Sequence, residues 1–294
     1  MKRLLKLALF LSLIVNAAES KSLTVDNDST KFNGIYFGVE GGYGFSACKS
    51  TFTTPNYTNG LNTDTKEYNV VIYSLGKGFN AGAFVGYTFT KHLSAELSAS
   101  YLASQQFKFY SALSEGNKNL TLFGTMYRLI PTLKLTLGEH KLKMYSKAGF
   151  IIGLGTKVTM YEESNTMNTN NNIFPPWQDT RVYTGGLSYG FKGGLGASYM
   201  FTNKIGVFAE LTGFFQSYSP KKSVETSMTV LGADYLPFLT TYDKETDYVT
   251  SYALVNNPDR TQPQQDLKFY FPFSSVGFTI GVKISFEKEK PKKG

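Results

Sequence analysis

Nine charged residues recur at alternate positions within stretches that are otherwise apolar or small: Glu40, Glu96 and Glu210 against Arg128, Lys134, Lys143, Lys147, Lys192 and Lys283. Charges held in a confined interior must pair or reach water, because an unpaired buried charge is costly. The plain chemistry of such a set is a structural ion-pair network. The sharper one, invited by the excess of bases, is a narrow conduit for anions. Other chemistries find less support. General-base and nucleophilic catalysis commonly need His beside Ser or Asp, yet the two histidines, His92 and His140, fall in short turns. No enzyme activity is therefore expected. The lone Cys48 excludes an internal disulfide framework. No His/Cys grouping implies a metal site, and Asp243 and Asp247 read as solvated surface charges. The runs "GGYG" and "GGLGAS" fit neither a P-loop nor a dinucleotide fingerprint; they lie within strands, where glycine permits close packing and curvature. No cofactor is expected.

The elements that carry these charges alternate at period two, the mark of strands with two different faces. "GIYFGVEGGYGF" sets Ile35, Phe37, Val39, Tyr43 and Phe45 against Tyr36, Gly38, Glu40, Gly42 and Gly44. Phe79 to Phe89, Leu93 to Tyr101, Leu120 to Leu137, Leu142 to Leu154, Leu187 to Phe201 and Ile205 to Thr212 repeat the pattern. The eighth strand, "VGFTIGVKISF", places Val276, Phe278, Ile280, Val282, Ile284 and Phe286 opposite Gly277, Thr279, Gly281, Lys283 and Ser285. Connections alternate too. Short turns follow the second, fourth and sixth strands, whereas Ser46–Gly78, Ser104–Asn119, Thr156–Gly185 and Ser217–Phe271 read as long loops. Short turns at one end and long loops at the other fit an outer-membrane barrel. A weak repeat, "YTFTKHLSAEL" and "YMFTNKIGVFAEL", gives Glu96 and Glu210 the same facing.

The amino terminus "MKRLLKLALFLSLIVNAAES" has a basic start, a short apolar centre and a small, polar end, so residues 1–20 are expected to be a secretory signal. Residues 21–33 form a polar lead-in, 34–286 the barrel, and 287–294 a charged periplasmic tail. The formal net charge of +8 is spread along the chain without a concentrated basic patch, which argues against nucleic-acid binding.

Alternation alone also fits a lipocalin-like barrel with its apolar row turned inward. Three features favour lipid on the outside. Aromatic residues collect at one end of the apolar row in Tyr87, Phe89, Tyr199, Phe201 and Phe286, as an interfacial girdle does. The opposite row is small and sparsely charged, suiting the interior of a narrow eight-stranded barrel. The loops are long and one-sided.

The strand rhythm, the strand ends "GYTF" and "SYMF", and the final "VKISF" resemble the OmpA-type and opacity-type family of eight-stranded outer-membrane barrels of Gram-negative cells, over Gly34 to Phe286. The resemblance implies an all-β antiparallel transmembrane barrel in outer-membrane lipid. It also implies that Phe278, Ile280, Val282, Ile284 and Phe286 form the signal read by the barrel-assembly machinery. The overhang "EKEKPKKG" departs from the pattern, and no chain follows it for the peptidoglycan-binding domain that OmpA carries. Specific function is then expected in the loops, where variable segments stand on a rigid scaffold. Trp177, Tyr235, Tyr242, Tyr248 and Tyr252 are candidate contacts for a host or cell-surface protein, since exposed Trp and Tyr make good anchors. The expected role is structural or surface-interactive, like an adhesin or surface antigen. The alternative is a narrow pore, with ten strands if "TSMTVLGADYLPF" and "DYVTSYALV" form a membrane hairpin.

Overall fold

The computed structural model describes residues 34–47, 50–51, 72–113, 116–138, 141–165, 167–169, 172–202, 204–253 and 256–287. The expected signal, lead-in and tail beyond Glu287 lie outside these residues, as do Cys48 and His140.

Eight strands close on themselves. They are β1 (Gly34–Ser46), β2 (Gly78–Thr88), β3 (Leu93–Ser104), β5 (Gly116–Leu137), β6 (Leu142–Ser164), β8 (Ser188–Met200), β9 (Ile205–Tyr218) and β13 (Ser275–Glu287). Each pairs antiparallel with the next, and β13 returns to β1 with Phe286 opposite Ile35 and Val282 opposite Val39. Closure leaves no free sheet edge, which is what allows strands to cross lipid. The apolar row faces outward on every strand: Ile35, Phe79, Leu133, Phe191, Leu211 and Ile280 are all exposed on the barrel wall. The small and charged row faces the lumen. Aromatic pairs sit at both ends of the wall, with Phe37–Phe286, Tyr87–Phe89 and Tyr199–Phe201 at the lower rim and Tyr43–Phe79 and Tyr101–Tyr127 at the upper. The sequence pattern picks out the lower girdle; the upper one lies near strand ends that blend into aromatic-rich connections.

The lower turns repeat one device. Thr90 Oγ1 accepts hydrogen bonds from the backbone N–H groups of His92 and Leu93, and Thr202 Oγ1 accepts from those of Lys204 and Ile205. The internal repeat is therefore a repeated threonine-braced turn.

Above the bilayer the structure departs from the expected loops. β5 and β6 run for 22 and 23 residues, about twice the ~9–11 that a tilted strand needs to cross the hydrocarbon. Their upper halves stay paired with each other and change the neighbour on the far side. β4 (Phe107–Leu113) pairs with upper β5, and β7 (Trp177–Thr184) with upper β6. β10 (Lys222–Val230), β11 (Glu245–Val249) and β12 (Gln264–Leu267) extend the same sheet. Three of the four segments read as long loops thus form most of an extracellular sheet. The ten-stranded alternative is also overturned: β10 pairs with β7 and β11 in this extension, and Leu236–Phe238 forms a 3-10 turn, so neither segment enters the barrel wall.

The continuation of β6 depends on a bulge at Gly155, whose φ is +56°. Below it Tyr145, Lys147, Ile151 and Gly153 face inward; above it Thr156, Val158, Glu162 and Ser164 do, so the facing changes from odd to even residues. A bulge adds one residue to one strand and re-aims every later side chain.

At the join, buried side chains from most of the elements meet: Leu75, Leu102, Leu122, Met126, Val158, Tyr183, Tyr218, Tyr248, Phe271 and Phe273 belong to one apolar cluster. This cluster lies across the extracellular mouth.

Candidate functional site

The lumen is built from period-two strands whose inward positions alternate large and small residues between neighbours. Tyr36 lies against Gly86, Phe84 against Gly38, Tyr145 against Gly196 and Phe208 against Gly281; a Cβ at any of these glycines would collide with the ring. The four rings form one buried cluster. Glycine on the next strand is what lets a ring lie flat inside so narrow a barrel.

Six charges thread between the rings. Glu96 Oε1 lies 3.1 Å from Lys134 Nζ, and Glu96 Oε2 lies 2.7 Å from Lys147 Nζ as a charge contact without aligned hydrogen-bond geometry. Lys147 Nζ reaches Glu210 Oε2 at 3.1 Å, Glu210 Oε1 reaches Lys192 Nζ at 3.6 Å, and Lys192 reaches Glu40 Oε1 at 3.8 Å. The order is Lys134, Glu96, Lys147, Glu210, Lys192, Glu40, three bases and three acids in strict alternation. Lys134 and Lys147 stand directly opposite each other on β5 and β6. Like charges so placed repel, and Glu96 between them turns the repulsion into two attractions. Thr212 Oγ1 donates to Glu210 Oε1 at 3.0 Å, and the Tyr36 hydroxyl donates to Glu96 Oε1 at 2.9 Å.

The remaining three predicted bases sit elsewhere. Arg128, among the most buried side chains, bonds neutral acceptors rather than a carboxylate: Gln216 Oε1 and Asn80 Oδ1 at 2.9 Å each, and the Phe273 carbonyl at 3.5 Å. Its guanidinium also lies over the Phe214 ring at 4.7 Å. The expected ion pairing is corrected here, because the upper lumen supplies amides and a backbone carbonyl where the sequence offered no acid to compare. Lys143 and Lys283 line a polar pocket of about 320 Å³ at the periplasmic mouth, with Lys283 Nζ over the Tyr36 ring at 5.1 Å. The basic excess that invited an anion conduit is thus divided between the two ends. His92 lies on the same lower rim, its Nδ1 2.9 Å from the Thr136 carbonyl.

The extension holds a second polar tier. Along β7, Trp177, Asp179, Arg181 and Tyr183 share one face. Arg181 Nε donates to Glu225 Oε2 at 2.9 Å, and Lys118 pairs with Glu162 at 3.3 Å while lying over the Trp177 ring at 5.1 Å. Asp179 faces Glu162 across β6 and Met228 across β10. Partial burial, reinforced by the nearby Glu225 and Glu162, pushes the Asp179 carboxyl up to about 7. Sequence inspection did not single out Asp179, Arg181, Glu162 or Glu225; the available signal was the alternation in "WQDTRVYT", hidden by reading that segment as loop.

The candidate contact residues separate. Tyr235 and Tyr252 are exposed, Tyr242 is half-buried and Trp177 lines a cavity. Tyr248 is corrected: it is buried, stacked 6.2 Å from Tyr183, with its hydroxyl 3.0 Å from Ser223 Oγ, because β11 turns alternate residues inward. Asp243 accepts from the Thr240 N–H and hydroxyl at 3.1 and 2.6 Å, capping a short helical turn. Among the described residues no group of three His, Cys, Asp or Glu side chains could hold a metal ion. Phe278, Ile280, Val282, Ile284 and Phe286 form an exposed row on β13.

Among solved structures, the chain is similar to the outer membrane protease OmpT from Escherichia coli. The similarity covers 87% of this chain and 93% of that one, at 7% identity and a TM-score of 0.27; a likeness at that level says nothing about chemistry. No curated protein matches the chain. The family described as "outer membrane protein beta-barrel domain" matches residues 7–236. With the closed eight-stranded wall and its outward apolar row, that match makes this chain a member of the outer membrane protein beta-barrel domain family, resident in the outer membrane.

Proposed function

We propose that the barrel serves as a closed anchor and that the extracellular sheet is the working part, a non-enzymatic contact surface for a host or cell-surface protein. One observation carries the reading: the strands continue past the bilayer into a sheet of their own, founded on the apolar cluster and carrying exposed Tyr235, Phe238 and Tyr252 beyond it. Ordered sheet standing clear of lipid with aromatic residues at its margin is suited to protein contact. The apolar cluster across the mouth and the balanced charges below it weigh against the alternative of a pore.

Deleting residues 223–268 from the chain displayed on cells should abolish attachment to the recognised surface while leaving heat-dependent gel migration, the sign of a folded barrel, intact. Unchanged attachment by cells bearing the folded deletion would overturn the contact role. Planar bilayers should show no sustained channels, and steady ion-selective conductance would restore the pore.

A further inference from the structure

The outer tier opens into a cavity of about 490 Å³ lined by Trp177, Asp179, Arg181, Glu225, Met228 and Asp243, among others. The lining carries three carboxylates and one guanidinium; Asp243 is paired with Arg260 Nη1 at 3.5 Å, which leaves Asp179 and Glu225 beside the single Arg181. Arg181 engages Glu225 through Oε2. Among the described residues Glu225 Oε1 and Asp179 Oδ1 are buried without a hydrogen-bond partner, and Glu225 is only 4% exposed. Buried polar atoms are nearly always satisfied, so two orphaned acceptors side by side ask for donors from outside the chain. Carboxylate oxygens bind guanidinium and ammonium groups through short, charge-assisted hydrogen bonds. Trp177, Met228 and Pro175 provide apolar wall for the methylene stem of such a side chain.

We propose that this cavity binds an arginine or lysine side chain of an extracellular polypeptide, with Asp179 and Glu225 as the acceptors. The proposal rests on reading the extension as a contact surface and names the chemistry that the surface recognises. An ionic acceptor at Asp179 would also be tuned by pH. The groups facing it are Glu162 from β6, Glu225 from β10, Arg181 on its own strand and Lys118 from β5, with Asp243 and its partner Arg260 across the cavity. Because the Asp179 carboxyl titrates near neutrality, a cation should bind more weakly below that range and more tightly above it.

Trp177 is the sole tryptophan, so its emission reports on the cavity directly. The full chain, folded in detergent micelles, is titrated with N-acetyl-arginine amide, N-acetyl-lysine amide and the neutral isostere N-acetyl-citrulline amide. The expected result is a saturable change with arginine or lysine, at least about tenfold weaker for citrulline, and about tenfold weaker for Asp179→Asn. Equal response to citrulline, or no response to either cation, overturns the proposal. Should Asp179→Asn fail to show heat-dependent migration, the parent protein decides: affinity must rise from pH 5.5 to pH 8, and a flat profile overturns the proposal. The two readings fail separately. Loss of attachment on deleting residues 223–268 without any arginine or lysine binding refutes the cavity and leaves the contact role. Binding without an effect on attachment upholds the cavity and refutes the contact role.

Discussion

The lumen and the extracellular tier are both polar interiors of the same β-sheet system, and they treat charge in opposite ways. In the lumen every carboxylate of the six-member chain has at least one lysine neighbour, and the acids and bases are equal in number. In the tier, Arg181 and Lys118 each pair with one acid, while Asp179 has no ion pair among the described residues; an oxygen without a hydrogen bond occurs in both regions, on Glu40 below and on Glu225 above. A membrane-enclosed interior has little water with which to settle an imbalance, so each of its acids lies beside a base, and the buried Arg128, which meets no carboxylate among the described residues, is held by amide and carbonyl oxygens instead. The tier borders open solvent and can keep an unspent charge available for a partner.

Breaking the balanced region should have the largest effect. Glu96→Gln leaves Lys134 without its carboxylate and facing Lys147, which keeps only Glu210, and should cost about 3–5 kcal/mol, read as a lower urea midpoint for loss of the heat-modifiable form. A midpoint within error of the parent would show that the chain of pairs contributes nothing. Overfilling it comes next. Gly86→Ala pushes a methyl into the Tyr36 ring, and overpacking of this kind costs about 1–3 kcal/mol; recovery in a Gly86→Ala, Tyr36→Leu double variant would identify the clash as the cause.

Smaller effects are expected in the tier. The Asp179 carboxyl is raised in the fold above its ordinary value, so the folded state holds a proton that the unfolded chain has already released. Stability then falls as pH climbs from about 4 to about 7. The loss should be on the order of 1 kcal/mol once solvent screening of a partly exposed group is allowed for. Asp179→Asn should flatten that slope; the same slope in the variant would assign it to another group. Outside both regions, Phe286→Ala should lower the yield of assembled protein, while trimming residues 288–294 should spare it. Matching yields for Phe286→Ala and its parent would remove Phe286 from the assembly signal.

What the sequence made legible follows from periodicity. The wall strands obey one strict rule, apolar out and small or charged in, so their number, facing and lower rim could be read from the residues, and Glu96 and Glu210 were rightly set on one face. Partnership was not legible. Alternation says which way Arg128 points, not that Gln216 and Asn80 would meet it across the lumen. Nor could the upper strands be separated from loops. The bulge at Gly155 breaks the alternation of β6 in mid-strand, and a broken period looks like an ending. Tyr248 reads as exposed because its strand is only five residues long, too short to advertise an inner face amid polar neighbours.

Gly155 gives the molecule a rotary joint. The upper half of β6, and with it β7, is phased by a single odd residue in the chain, so that part of the extracellular sheet could be re-aimed without altering one lipid-facing position of the wall. Removing that residue would turn Val158, Met160 and Glu162 to the outside and bring their neighbours in, with the lipid-facing surface untouched. The same protein can therefore hold one half constant for the membrane while the other half drifts with whatever it meets outside the cell.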